Sequence, residues 1–584
     1  MESMKLQAVR NFLKEASLDA VIVVDSDPHG SEYLPEHWKV REWLSGFTGS
    51  AGTLVVTMHK AALWTDSRYF LQAASQLLPE VELMKEGVPD TPEITEWLGC
   101  QLQCGSKVAI DAQVTSLKRA GEWQAALAQA GIELLPAPEQ MWDELWRERP
   151  QLPVGPVVIH PVQYSGESCR SKLERIRQQL SSGGIVLSAL DEIAWILNLR
   201  GSDVHCCPVV MSYLVITQQE ALFYCNPEKV SASVMHYLQE EGVQLRPYDC
   251  FLHEVGGYNS HTMKLPASSM LAVRERMPDA TVVAETPVAL MKAVKNRTEL
   301  EGLRTAQVRD GVAMVRFLRW LEQTVPAGEV TELALDDALL HYRSQQAKFC
   351  GISFDTIAGY GAHGAIVHYE ATPESASTLL PQGFLLLDSG GHYLDGTTDI
   401  TRTIALGPLT DEACRDYTWV LKGHINLATA HFPQGTCGTQ LDVLARIAMW
   451  KEGVTYLHGT GHGVGSYLNV HEGPHQIRMN HVPTPLRPGM VVTNEPGIYR
   501  AGKHGVRIEN MMVVTEARET DFGKFYRFDI VTLCPIDTRP IVREMMTTDE
   551  LDWLNGYHQR VYEALAPHLD EEERRWLKEK TQRI

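Results

Sequence analysis

The chain has 584 residues, enough for three or four domains at roughly 100–200 residues each. With 44% hydrophobic and 22% charged residues it matches the globular average, which excludes a largely disordered chain. A total of 53 Lys and Arg against 73 Asp and Glu leaves a formal charge of −20; that surface repels phosphate backbones, so no nucleic-acid partner is expected, and it would suit divalent cations.

No uninterrupted apolar run reaches the roughly 18 residues of a membrane span, so no membrane association is expected. Glu2, Lys5, Arg10, Lys14 and Glu15 precede any apolar run, which argues against a secretory leader. Eleven cysteines without CxxC spacing read as reduced thiols, and a cytoplasmic protein is expected.

The first 150 residues read as α/β. A helical pattern over residues 5–16 precedes the Val- and Ile-rich run Leu18–Val24, a buried strand by composition. The Gly46–Gly52 loop (GFTGSAG) leads into a strand over Thr53–Thr57. It is a tight turn rather than a phosphate loop, because no Lys-Ser/Thr and no clear helix follow it. Pro150, Pro153, Pro156 and Pro161 mark a linker. Beyond it the pattern restarts: a charged helix over Glu167–Leu180, a strand over Gly184–Leu187, an apolar stretch over Ala189–Leu197, and a strand over Ser212–Thr217. The order of elements in residues 1–65 and 165–225 is similar enough to suggest a duplicated domain.

A third section begins near residue 290. Thr298 and Glu301 fit a capping box for a long amphipathic helix to about Gln323, broken at Pro326–Gly328. The charge-rich tail Asp570–Lys580 reads as a solvated helix.

The chemistry lies between these limits. Asp388 closes the apolar strand Phe384–Leu387, and a returning strand from Asp399 to Ala405 would bring Asp399 beside it. Two such carboxylates repel unless a cation bridges them or one keeps a proton. Asp395 reads as an ordinary turn residue. His458 and His462 sit among alternating glycines, where the backbone can approach a ligand closely; His471 (NVHEGP) and His368 join them. Glu495 follows the apolar strand that starts at Met490 and enters a Pro-Gly turn. Arg507 and Glu509, two apart in a Val/Ile/Met-rich segment, should share one strand face, as an ion pair, on an exposed face, or with the glutamate bound to metal. Two Asp, one His and two Glu, separated by 11, 63, 33 and 14 residues, make a donor set that can hold two divalent ions such as Mn²⁺, Co²⁺ or Zn²⁺.

These segments (DSG-x8-DxTRT, GTGHGVG, NVHEGP, NEPGIY and VRIEN) resemble those of the pita-bread metallopeptidases, the creatinase, prolidase and methionine aminopeptidase family, and within it the long three-domain aminopeptidase P branch. The resemblance covers nearly the whole chain. It implies an α/β (α+β) fold: two related creatinase-like N-terminal domains (1–153 and 154–290) and a pita-bread catalytic domain with a C-terminal extension (291–584). It implies metal ligands Asp388, Asp399, His462, Glu495 and Glu509, around two divalent ions, usually manganese, with zinc or cobalt as alternatives. It gives His368, His458, His471, Glu495 and Arg507 catalytic roles, and His368, His458, His471 and Tyr499 contact with substrate. The implied reaction is hydrolysis of an N-terminal Xaa-Pro bond through a metal-bridging water or hydroxide, releasing the first residue from peptides with proline second. A homodimer is expected. Prolidase, restricted to Xaa-Pro dipeptides, would share the ligands, but the duplicated N-terminal half favours the aminopeptidase. Creatinase, which works without metal, and non-catalytic relatives lack this full ligand set.

Overall fold

A computed structural model describes residues 4–180 and 182–584. The chain divides into two units, one running to His160 and resuming over Glu167–Val288, the other made of Pro161–Gly166 and Ala289–Ile584.

The first unit holds two mixed sheets. One contains β1 (Ala20–Val24), β2 (Thr53–Thr57), β3 (Ala61–Thr65), β4 (Val81–Lys85), β5 (Lys107–Ile110) and β6 (Glu133–Pro136) in the order β4-β3-β2-β1-β5-β6. The other contains β7 (Gly184–Leu187), β8 (Tyr213–Thr217), β9 (Ala221–Tyr224), β10 (Gln244–Arg246), β11 (Met263–Pro266) and β12 (Thr281–Val283) in the order β10-β9-β8-β7-β11-β12. Parallel and antiparallel pairings also correspond strand for strand, so the duplication read from the sequence is a repeated topology. The run in β1 is apolar throughout because both of its faces are covered. Val21 and Val23 pack with Leu6, Val9 and Leu13 of the N-terminal helix Met4–Glu15, while Ala20 and Ile22 pack with Trp64, Trp97 and Leu98.

The GFTGSAG loop is a structural clasp. Arg41, buried and paired with Asp25 at 2.6 Å, donates to the carbonyls of Phe47 and Gly49. Gly49 must be glycine, since a Cβ there would lie 2.3 Å from the Phe47 ring.

In the second unit α1 (Arg297–Thr324) begins two residues earlier than the sequence suggested. Asn296 is its N-cap and Glu299 closes the capping box; Glu301 instead pairs with Arg297 at 2.6 Å. α2 (Glu332–Ser344) follows, then a three-stranded sheet of β13 (Ile357–Tyr360), β14 (Phe384–Ser389) and β15 (Ile400–Ala405), with β14 central. Leu385 and Leu387 of β14 and Ile400 and Ile404 of β15 pack on Met314, Phe317 and Leu321 of α1 and Leu335 and Leu339 of α2.

After α3 (Asp411–Ala428), β16 (His431–Pro433) and α4 (Gly438–Trp450) come β17 (Gly461–Gly463), β18 (Glu472–Ile477), β19 (Val491–Asn494), β20 (Gly497–Arg500), β21 (His504–Arg507), β22 (Asn510–Thr520) and β23 (Gly523–Ile530). Six of these strands form one sheet in the order β16-β23-β22-β19-β17-β18, and β20 with β21 forms a separate hairpin. α3 (Tyr417, Val420, Leu421, Ile425), α4 (Leu441, Ala445, Met449) and α5 (Thr548–Leu565) cover this sheet through Val492, Met512 and Val514.

The last helix, α6 (Glu571–Lys580), is not the solvated element its charges suggested. Leu577 is fully buried, Glu573 pairs with Arg316 of α1 at 2.9 Å, and Trp576 and Lys580 both reach Glu322. Leu577, with Trp576 packed beside it, docks a helix whose remaining face is charged and exposed. All eleven cysteines are free thiols. Among the described residues, no helix is long and apolar enough to cross a membrane.

Candidate active site

The antiparallel pairing of β14 with β15 sets Asp388 opposite Thr401. Side chains alternate along a strand, so Asp399, two residues before Thr401, lies on the same face as Asp388. The returning strand thus brings the two aspartates together as expected. His462 projects from β17, Glu495 follows β19, and Glu509 lies in the link between β21 and β22.

Asp399, His462 and Glu509 each offer a donor atom, and these atoms all lie within 4.8 Å of one another. His462 Nε2 stands 3.4 Å from Asp399 Oδ2 and 3.7 Å from Glu495 Oε1. The other ring nitrogen, Nδ1, faces the Gly463 carbonyl at 2.9 Å. That contact sets the tautomer that leaves Nε2 free to act as a ligand. The pocket is graded in depth. Glu509 is 1% exposed, whereas the side chains of His462 and Glu495 keep 14% and 18% exposure at the open edge.

Four carboxylates in one buried place are electrostatically crowded. Burial, reinforced by Asp399, Glu495 and Asp388, pushes Glu509 well above the usual carboxylate range. Burial also raises Glu495, to about 7, against the opposing pull of His462 and Arg507. Burial disfavours charge on His462, but its bond to Asp399 and the nearby Glu495 outweigh this and lift it to about 9. A cation entering here replaces protons as the counter-charge. Asp388 Oδ1 is buried without a hydrogen-bond partner. The donor set is four carboxylates and one imidazole with no thiolate, which fits a divalent pair.

Of the open readings for Arg507 and Glu509, the ion pair between them is not formed. Arg507 Nη2 donates to Asp388 Oδ2 at 2.7 Å rather than to Glu509. The strand ends at Arg507, and the chain crosses from the hairpin to the six-stranded sheet before β22 starts, so the rule for residues two apart on one strand does not apply. Arg507 Nη1 also donates to the Tyr499 hydroxyl at 2.8 Å. The Tyr499 oxygen lies 2.8 Å from His458 Nε2, and His458 Nδ1 lies 2.7 Å from the Gly459 carbonyl. The carbonyl must accept from Nδ1, so Nε2 accepts from Tyr499. His458, Tyr499, Arg507 and Asp388 therefore form one chain of hydrogen bonds.

The His471 ring sits 4.3 Å from that of His462, edge to face. His368 is held through its neighbours: the Val367 carbonyl accepts from Arg507 at 3.4 Å, and the Tyr369 hydroxyl donates to Glu332 at 3.0 Å.

Several supporting residues were not legible in advance. Asp395 is no ordinary turn residue; it is buried between Arg309 and Lys348. Glu472, beside His471, is buried against Lys292 (2.7 Å) and Lys295. Arg446 of α4 pairs with Asp442 at 2.6 Å and donates to the carbonyls of Tyr456 (2.6 Å) and His458 (3.0 Å). The faint signal for Glu472 was a charge adjoining a histidine in a turn; Arg446 and Asp442 look like any i,i+4 helix pair.

With this geometry in view, the relatives are informative. Residues 301–516 match metallopeptidase family M24 and residues 524–584 the C-terminal region of that peptidase. Residues 5–143 and 148–299 each match a creatinase/prolidase N-terminal domain. The class is therefore a metallopeptidase with a pita-bread domain behind two creatinase-type domains. The chain is 38% identical to aminopeptidase P1 of Lotus japonicus, covering 99% of both sequences. It is 40% identical to a probable Xaa-Pro aminopeptidase P of Paracoccidioides brasiliensis, over 100% of this chain and 99% of that protein. An X-prolyl aminopeptidase structure from Caenorhabditis elegans, described as a cytosolic enzyme with a di-nuclear active site, superposes with a TM-score of 0.95 at 36% identity over 99% of both chains. The chain belongs to the aminopeptidase P family of metallopeptidases.

Proposed function

We propose that this enzyme removes the first residue from peptides with proline in second position, using two divalent ions held by Asp388, Asp399, His462, Glu495 and Glu509. The observation that carries this reading is that Asp399, His462 and Glu509 offer donor atoms within 4.8 Å of one another, with Glu495 Oε1 3.7 Å from His462. When bound, such ions supply Lewis acidity, making water a better nucleophile and polarising the scissile carbonyl. Manganese is the first choice because the donors are mostly hard oxygens; zinc or cobalt come next.

The chain's own residues do the rest. Glu495 is at the open edge, where its carboxylate can take a proton from the attacking water. As water adds to the carbonyl carbon, its proton passes to the Glu495 carboxylate; as the C–N bond breaks, that proton goes to the prolyl nitrogen. In this reading His471 donates to the developing oxyanion, and His368 and His458 contact the peptide. Tyr499 orients His458, and Arg507 holds both Tyr499 and Asp388.

The test is mass spectrometry of metal-stripped protein with a peptide beginning Arg-Pro-Pro, with and without Mn²⁺. Release of arginine only with metal is expected. Cleavage of Ala-Pro but not of the longer peptide would make it a prolidase, and no cleavage of either would make the site a binding site only.

Domain limits at 1–153, 154–290 and 291–584 belong to the same reading. So does a cytoplasmic setting, which eleven free thiols and the cytosolic relative support. A homodimer is supported by Val443, Ile447 and Trp450, one helical face of α4 with exposures of 38%, 42% and 44%. Sedimentation velocity should give twice the chain mass for the native protein and a monomer for Ile447→Asp; a native monomer overturns the dimer.

A further inference from the structure

Asn494 and Asn510 are register partners at the adjoining ends of β19 and β22. The next residues outward are Glu495 and Glu509. The two asparagine side chains bond to His424, whereas the Glu495 and Glu509 carboxylates face His462 and the Thr401 hydroxyl. On the asparagine side, beneath the site, lies one fully buried imidazole, His424 of α3.

His424 touches both strands. Its Nδ1 lies 3.0 Å from the Asn494 carbonyl, and Asn494 Nδ2 returns a bond to the His424 carbonyl at 2.9 Å. Its Nε2 lies 3.0 Å from Asn510 Nδ2. A fourth buried side chain settles every donor and acceptor. Arg402 can only donate, and its Nη2 meets Asn510 Oδ1 at 2.9 Å. The Asn510 amide nitrogen must then face His424, so Nε2 accepts and Nδ1 carries the hydrogen, as the Asn494 carbonyl requires. Arg402 Nη1 also donates to the backbone carbonyls of Glu509 (2.7 Å) and Thr401 (2.9 Å). Burial, then the charge of Arg402, hold the His424 pKa down to about 3, so the ring stays neutral.

We infer that His424 and Arg402 are positioning residues: a buried clamp that sets the spacing of Glu495 and Glu509, and through it the affinity of the site for its second divalent ion. The inference rests on the metal-site reading above. Its reach is set by geometry. An imidazole bonded to both strand ends resists their spreading, and a slip of a few tenths of an ångström between the two backbones passes directly to the carboxylates one residue further on. Outer-shell partners of metal ligands commonly control affinity by about 10–100-fold.

Three variants separate the two arms. His424→Phe keeps the ring shape and loses both bonds. His424→Asn places an amide near the Nδ1 position and keeps the arm to Asn494. His424→Gln reaches the Nε2 position and keeps the arm to Asn510. For each, Mn²⁺ affinity is read by competition with a chelator, alongside the melting temperature of the metal-stripped protein, kcat and KM. His424→Phe should weaken the second Mn²⁺ by about 10–100-fold and lower kcat in step. KM should stay within about threefold, because no substrate contact is touched. The Asn and Gln variants should fall between His424→Phe and the native protein. Native Mn²⁺ affinity in His424→Phe overturns the inference. So does an equal loss in all three variants that tracks the metal-free melting temperature, and so does failure of all three to fold, since each marks the ring as structural only. If His424→Phe alone fails to fold, the Asn and Gln variants carry the comparison. Glu509→Ala run in parallel keeps the two readings apart. Full metal binding in that variant sinks the metal site itself; loss there with native binding in the His424 variants sinks only the clamp.

Discussion

Glu509→Ala should lose metal and turnover together. Glu509 is 1% exposed, its Oε2 accepts from the Thr401 hydroxyl at 2.8 Å, and its backbone nitrogen donates to the Thr401 carbonyl at 3.1 Å. The side chain is thus locked in one direction, and no other carboxylate on its strands can take its place. At least one equivalent of metal should be absent after dialysis, and kcat/KM should fall by about 10³-fold or more, as for loss of a centre that stabilises transition-state charge. The metal-stripped variant should fold at least as stably as the native metal-stripped protein. Burial and three neighbouring carboxylates already disfavour charge on Glu509, so removing it relieves crowding. Metal content by elemental analysis, turnover and a thermal melt read all three. Full metal with full turnover would exclude Glu509 from the site.

Arg446→Ala carries the second large effect, this time on stability. The guanidinium and Asp442 are 1% and 3% exposed, and the Thr460 hydroxyl also donates to Asp442 at 2.5 Å. Removing the arginine leaves Asp442 buried with its counter-charge gone and strips the Tyr456 and His458 carbonyls of their donors. A loss of about 3–5 kcal/mol is expected in urea denaturation of the metal-free protein. KM should rise as well, because the segment carrying His458 is released from α4. A change below about 1 kcal/mol would mean that the pair is exchangeable with solvent. Arg446→Lys should lose less, since an ammonium can neutralise Asp442 but cannot also reach both carbonyls.

The repeated domain, the strands expected at 18–24, 53–57 and 184–187, and the meeting of Asp399, His462 and Glu509 were legible because each depends on residues close in sequence, on residue type or on a family resemblance. A Val/Ile run buried on both faces reads as a strand wherever it occurs. Carboxylates ending apolar strands announce an unusual environment without any knowledge of neighbours. The errors share a cause. The capping box at Thr298 and Glu301 satisfied the pattern, but Asn296 and Glu299 satisfied it two residues earlier, and the packing of α1 set the start. The tail α6 looked solvated because charge dominates its composition, yet Leu577 and Trp576 found α1 more than 250 residues away.

Partner choice lay beyond local pattern for the same reason. Arg507 and Glu509 are two residues apart, but a change of sheet separates them, and the arginine takes Asp388, 119 residues distant. His424 carries no motif, and neither Asn494 nor Asn510 stands out beside its glutamate. They become one device only when α3 packs beneath the junction of β19 and β22. Residue type and local spacing therefore specify which atoms can bind a metal. Long-range packing sets which of them meet, in what protonation state and how rigidly, because a buried polar group must find its partner wherever the fold brings one.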